Sequence, residues 1–208
     1  MGSLFGALLR EAGAEVWLLD VWQDHIDAIN EHGLSIEAAG QTRTVAIHAV
    51  TRAEAIGQAD AVIVFVKSTA TEAVAQTCGK LIDRTGMVLT LQNGLGNAEI
   101  IARHIEADRI LAGTTSQGAT LLGPGAVRHA GGGITQIGVW AGRALDAAQP
   151  IVDLFNAAGL ETELVNDIKP LIWNKLLVNV GINAITALTG ITNGQILDLE
   201  ATRELCRM

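Results

Sequence analysis

The chain has 208 residues, enough for one well-packed core and a smaller second unit. Hydrophobic residues make up 49% and charged residues 17%, a globular rather than disordered composition, and a net charge of −8 gives no electrostatic basis for binding nucleic acid or an anionic membrane. The two cysteines, Cys78 and Cys206, and the five scattered histidines show no ligand spacing, so the expectation is no metal site and a reducing, cytoplasmic setting.

Taken in order, residues 2–12 predict a helix stopped by Gly13, with Gly2, Gly6 and Ala7 forming a smooth face for close packing. EVWLLD (15–20) predicts a short strand ending in an acid, Asp20, and residues 22–32 predict a helix closed by Gly33. This helix–strand–acid–helix order is the second part of a dinucleotide-binding unit. The leading strand and the first two glycines of the fingerprint are missing, and Gly2 stands where the third would open the helix. Residues 34–36 and 42–47 predict a hairpin, and 52–58 a short helix. Residues 61–66 (AVIVFV) and 87–91 (MVLTL) read as strands buried on both faces, separated by a helix at 71–80. A helix at 98–104 and a strand at 109–112 follow. From Thr114 to Val139 the alternation, with GPG and GGG as turn signals, predicts hairpins. A helix at 146–158 and a short strand at 160–165 complete the unit.

The strands end at Asp20, Lys67, Asn93 and Thr114. In an open α/β sheet the carboxyl ends of the strands share one crevice, so these residues are expected to converge there. The expected fold is therefore α/β. A Rossmann-like, doubly wound parallel sheet lacking its first strand occupies residues 1–166, and residues 167–208 begin an all-helical unit.

The most informative stretch is 173–193, WNKLLVNVGINAITALTGITN, which predicts an apolar helix of the kind that is normally buried. Lys175, Asn179 and Asn183 are spaced i, i+4, i+8, drifting by only ~40° per step, and so line one face. A polar stripe most often faces water. Asparagine is a poor mid-helix residue, however, and a buried lysine is costly without a partner, so a comb that holds the carbonyl or oxyanion of a small substrate is favoured. The same three polar residues interrupt the only apolar stretch of membrane-spanning length, and MGSLFGALLREAG lacks the basic start of a signal peptide, so no membrane association is expected.

Three segments, GSLFGALL at the start, LQNGLGN at 91–97 and WNKLLVNVGINAITALTGITNG at 173–194, resemble the ketopantoate reductase (2-dehydropantoate 2-reductase) family, and the resemblance runs over essentially the whole chain. It implies an NADPH-dependent reduction of a small-molecule 2-oxo acid, 2-dehydropantoate to pantoate in pantothenate biosynthesis. It also implies Lys175 as the catalytic acid and Asn179, Asn183 and Asn193 as substrate-holding amides. Gly2, Lys67, Asn93 and Ala119 correspond to cofactor-contacting positions. Against the family pattern the chain looks truncated at both ends, since the family's C-terminal serine and glutamate fall beyond Met208. Asp20, with no arginine in 21–24, favours the ribose hydroxyl of NAD, whereas the resemblance implies NADP. A non-catalytic nucleotide-binding or interaction module derived from this fold is the alternative, as is a reductase of another 2-oxo acid. Apolar surface left uncovered predicts aggregation or a homodimer.

Overall fold

A computed structural model describes residues 1–142 and 145–207. In chain order the elements are α1 (Gly2–Glu11), β1 (Trp17–Leu19), α2 (Gln23–His32), β2 (Leu34–Ala38), β3 (Gln41–Val45), β4 (His48–Val50), β5 (Ala59–Val64), α3 (Thr71–Leu81) and β6 (Ile82–Thr90). They continue with α4 (Asn97–Ile101), β7 (Ile110–Thr115), β8 (Gly118–Gly123), β9 (Ala126–Gly131), β10 (Thr135–Val139), α5 (Leu145–Ala157), β11 (Thr162–Leu164), α6 (Lys169–Thr189) and α7 (Glu200–Arg207).

The main sheet has the order β11-β10-β7-β6-β5. Strands β5, β6 and β7 are parallel, β10 runs antiparallel to β7, and β11 is parallel to β10. Period-2 alternation divides the apolar runs of β6 and β7 between two cores. Leu89 and Leu111 face Phe5 and Leu9 of α1 and Val152 and Phe155 of α5. Val88 and Ile110 face Ala75 and Cys78 of α3 and Ala98 and Ile101 of α4. Helices on both faces of a largely parallel sheet make the doubly wound α/β architecture. Cys78 lies in that second core, where burial pushes its thiol up to about 11, so it behaves as a small apolar residue.

Three features depart from the sequence expectation. First, β1 does not join the main sheet. It pairs in parallel with β4, a strand just past the expected hairpin for which the sequence carries no separate expectation. Helix α1 spans the two sheets. A Cβ on Gly6 would lie 2.6 Å from Leu18 Cδ2 beside β1, while the Phe5 and Phe65 rings, the latter just past β5, stand 4.7 Å apart. Glycine at position 6 is thus what permits the close approach.

Second, the two hairpins, 34–45 and 118–131, combine into one sheet of order β3-β2-β9-β8, with β2 parallel to β9. The Ala39-Gly40 turn has φ of 50° and 76°, the left-handed pair that suits a two-residue hairpin. Leu34, Ile36, Val45 and Val127 of this sheet close a third core over Leu4 and Ala7 of α1 and Ile26 and Ile29 of α2.

Third, α6 starts and stops four residues early, at Lys169 and Thr189, because Pro170 fits the first turn and Gly190 ends the helix in the left-handed region at φ 72°. It is also far from buried. Only Ile185 is enclosed, while Leu177 is 66% and Leu188 89% exposed. Its apolar residues surround the axis but neighbours cover one side alone. By length and composition α6 is the one helix among the described residues that could cross a membrane.

Candidate functional site

The parallel arrangement of β5, β6 and β7 brings their carboxyl ends to one edge, and the polar residues just past each strand come with them. Lys67 lies three residues beyond β5, Asn93 three beyond β6, and Thr115 closes β7. Gly2 opens α1 at the same edge, since a Cβ there would stand 3.8 Å from Phe65 Cβ. Among the described residues no side chain caps the first turn of α1, whose outward N–H groups suit an anion. Asp20, one residue past β1, accepts a hydrogen bond from the Trp22 N–H at 3.0 Å, which fixes the turn into α2 and leaves its second oxygen exposed.

Lys175 is reached from the other side. Its Nζ donates to the carbonyl oxygen of Thr115 at 2.6 Å, a link across 60 residues that ties α6 to the end of β7. The carbonyl is held in turn: the Thr115 hydroxyl is buried against the Thr135 hydroxyl at 2.8 Å and accepts from the Gln117 N–H. Among the described residues no carboxylate pairs with Lys175. Desolvation by burial is the cause that lowers its pKa from the ordinary lysine value.

One turn further along α6, Asn179 is half-buried, and Asn183 after it is exposed; neither amide has a protein partner among the described residues. The stripe therefore runs from the sheet edge outward. Asn193 does not share it. It lies four residues beyond the end of α6, exposed, at the start of a 3₁₀ turn over Gly194–Leu197. Ala119 is half-buried in β8, opposite His129 of β9 and packed toward the third core.

A polar network not read from the sequence holds the loop around Asn93. Gln92 donates to the Val66 carbonyl at 2.7 Å and to the Thr71 hydroxyl at 2.9 Å, and accepts from the Thr90 hydroxyl. Thr71 donates to Asn97 Oδ1, and Asn97 Nδ2 donates to the backbone oxygen of Asn93. Thr71, Thr90 and Asn97 are buried, so every group needs its partner, and the loop is rigid as a consequence. Residues 91–97 carried the signal in sequence, but only Asn93 was singled out. The position of Thr115 as acceptor for Lys175 had no local signal.

Two adjoining clefts flank this loop, sharing Leu95, Glu99, Trp140 and Ile172 as walls; Lys175, Asn179 and Asn183 line neither. Lys169 sits at the rim with its Nζ 4.7 Å over the Trp140 ring, a cation–π contact. The polar residues past β5, β6 and β7 thus stand at the sheet edge rather than in the narrow part of these clefts. Among the described residues no three His, Cys, Asp or Glu side chains form a group that could hold a metal ion.

Residues 1–142 match the family model described as "Ketopantoate reductase PanE/ApbA", and residues 167–208 match "Ketopantoate reductase PanE/ApbA C terminal". A 2-dehydropantoate 2-reductase of Halobacterium salinarum is 41% identical over 199 residues, covering 95% of this chain and 65% of the relative. One from Pyrococcus horikoshii is 37% identical over 216 residues, covering 100% and 70%. Among solved structures, D-mandelate dehydrogenase with NADH and anilino(oxo)acetate superposes with a TM-score of 0.94 at 29% identity, covering 99% of this chain and 67% of that one. The 2-dehydropantoate 2-reductase of Geobacter metallireducens gives 0.91 at 30% identity, covering 98% and 67%. The chain thus spans 65% to 70% of the length of these curated relatives.

Proposed function

The chain belongs to the ketopantoate reductase family, and from that premise we propose that it binds a pyridine nucleotide at the carboxyl edge of β5, β6 and β7 and uses Lys175 to reduce the carbonyl of a 2-oxo acid, 2-dehydropantoate foremost. The observation that carries the reading is the state of Lys175: half-buried and, among the described residues, without a carboxylate partner, its one hydrogen bond made to a neutral carbonyl.

The residues present fit the nucleotide. The uncapped first turn of α1 beside Gly2 suits a pyrophosphate, Asp20 suits a ribose, and Asn93 stands on a rigid loop between them and the α6 stripe. When bound, the nicotinamide supplies the hydride that reaches C2 of the oxo acid. An ammonium has three donors, and Thr115 takes one. The other two are left for the substrate oxygen, whose developing negative charge the ammonium would stabilise before giving up a proton to complete the 2-hydroxy acid. Asn179 and Asn183 hold the substrate's carboxylate and neighbouring hydroxyls, Asn193 supplies a further amide, and Lys67 and Ala119 border the nucleotide.

In this reading residues 1–166 are the nucleotide unit and 167–208 begin the substrate unit. The tie from Lys175 to β7 seats α6 against protein rather than in a bilayer, and its exposed apolar side favours self-association. One feature supports NADH over NADPH: Asp20, the proposed ribose contact, has an oxygen without a hydrogen bond among the described residues, a like charge for a 2′-phosphate, and residues 21–24 offer no arginine. The test is oxidation of NADH and of NADPH with 2-dehydropantoate and a panel of other 2-oxo acids, by this chain and by Lys175→Ala. Turnover that depends on Lys175 is expected, faster with NADH. Nucleotide binding with no lysine-dependent turnover on any 2-oxo acid refutes the catalytic reading and leaves a binding module.

A further inference from the structure

His25 joins three elements. On α2 and 4% exposed, its Nδ1 accepts the backbone N–H of Gly125, in the β8–β9 turn, at 2.9 Å, and its Nε2 lies 3.0 Å from the Ser3 hydroxyl in the first turn of α1. The Trp22 ring stacks on it at 5.4 Å. The partners determine the proton positions. A backbone N–H can only donate, so Nδ1 carries no proton, and the neutral ring must carry its proton on Nε2. Nε2–H therefore donates to Ser3 Oγ. The Ser3 hydroxyl keeps its own proton, and among the described residues no protein acceptor receives it.

We propose that Ser3 is a further nucleotide-binding residue, its hydroxyl proton directed to the adenosine half of the cofactor, and that His25 is the positioning residue that aims it. The inference rests on the nucleotide site proposed above and extends it. Ser3 adjoins Gly2 at the uncapped end of α1, and Asp20, the proposed ribose contact, is near enough to act electrostatically on His25. Gly125 holds the ring from the far side. It sits at φ 68°, and a Cβ there would come within 2.9 Å of Ala28 Cβ, so the turn is pressed onto α2 and its N–H cannot easily turn away.

The relay also carries a pH dependence. A second proton on the ring would occupy Nδ1 and face the Gly125 N–H, two donors in one hydrogen bond. Burial lowers the pKa of His25 below the ordinary histidine value, the Asp20 carboxylate opposes this, and the Met1 ammonium adds to it. The clamp is accordingly intact at neutral pH and opens on the acid side.

The test is calorimetric titration of ADP-ribose, which has the adenosine half without the nicotinamide, into the wild-type chain and the Ser3→Ala, His25→Gln, His25→Leu and Ser3→Ala/His25→Leu variants. Thermal melts verify that each is folded. Ser3→Ala is expected to bind about tenfold more weakly, the worth of one well-aimed hydrogen bond. His25→Leu should lose a similar factor, and the double variant no more than either single one, because the two residues act as one unit. His25→Gln places an amide donor near Nε2 and does not titrate. It should bind as the wild type does at neutral pH and lack the weakening that the wild type shows on acidification. Ser3→Ala binding like the wild type, or the same acid weakening in His25→Gln, overturns the inference while the nucleotide site stands. Failure of the folded wild-type chain to bind ADP-ribose overturns the nucleotide site, and this inference with it.

Discussion

Replacing Lys175 by methionine separates what the lysine does for the fold from what it does for the reaction. Methionine keeps the length and the apolar stem but removes the charge and the donor. The lost bond to the Thr115 carbonyl is charge-assisted, and such bonds contribute about 1.5 to 3 kcal/mol. Against that, the half-buried ammonium is desolvated, and the substitution removes that penalty. The two effects oppose each other, so the net change in stability is expected to stay within about 1 kcal/mol, a shift of about 2 to 4 °C in Tm for a chain of this size. The sign has a pH signature. A lysine whose folded pKa is lowered destabilises the fold at neutral pH, and the penalty disappears as pH rises through the folded pKa toward the unfolded value. The wild type should therefore gain stability relative to Lys175→Met as pH rises through that interval. Turnover behaves differently. Loss of a positioned acid costs about 10² to 10⁴ in rate, or about 3 to 5 kcal/mol in the barrier. The assay pairs a melting curve with single-turnover nucleotide oxidation, pH by pH. A folded variant that keeps turnover within about tenfold of the wild type removes Lys175 from the chemistry, and a drop in Tm beyond about 10 °C makes it a structural lysine.

Other outcomes follow from the same geometry. Because the acid must be protonated, reductive turnover should fall on the alkaline side, beginning below the ordinary lysine pKa of about 10.4, and a flat alkaline limb would exclude Lys175 as the donor. Asp20→Ser combined with Val21→Arg should move preference toward NADPH by about tenfold or more, since it removes a like charge and adds a phosphate partner at a fully exposed position; kcat/KM for the two nucleotides measures it. Gly113→Ala should destabilise by about 1 to 3 kcal/mol in urea melts, because its Cβ would stand 2.5 Å from the Gln136 carbonyl oxygen, which strand pairing holds in place. Phe155→Ala, at full burial between α5 and the main sheet, should cost about 3 to 5 kcal/mol in the same experiment.

Local patterning made most elements legible in the sequence. The runs AVIVFV and MVLTL became β5 and β6, the glycines at 13 and 33 closed α1 and α2, and Gly125 turned the hairpin between β8 and β9. Pairing between distant strands was not legible. Nothing in 34–38 or 126–131 states that β2 and β9 lie side by side, since their burial pattern is set by a shared core with α1 and α2 that exists only once both hairpins have formed. The start of β6 illustrates a second limit. Ile82 already pairs with Ala59, and residues 83–86 bulge out before Met87 pairs with Ala61, in a turn where Asp83 Oδ1 accepts from the N–H groups of Thr85 and Gly86 and from the Thr85 hydroxyl, an irregularity that a polar DRT sequence conceals. The site divided along the same line. The i, i+4, i+8 stripe could be read because a helix converts spacing into direction, whereas Asn193 could not be placed once Gly190 broke that regularity. His25 counted as one of five scattered histidines until Ser3 and Gly125 were brought to its two nitrogens.

The choice of partner for Lys175 bears on why the site takes the form it does. A buried ammonium needs an acceptor, and a carboxylate would be the stronger one. A carboxylate would also neutralise the charge, raise the pKa and, in the proposed reduction, hold back the proton from the substrate oxygen. The Thr115 carbonyl, fixed by β7 pairing with β10 and by the buried Thr115–Thr135 contact, supplies direction without supplying charge. The ammonium therefore reaches the sheet edge without a carboxylate partner and with two donors unengaged among the described residues, and with burial already weakening its hold on the proton. Electrostatic stabilisation of an oxyanion needs the first of these properties and proton transfer needs the second. One backbone acceptor at the end of one strand provides for both.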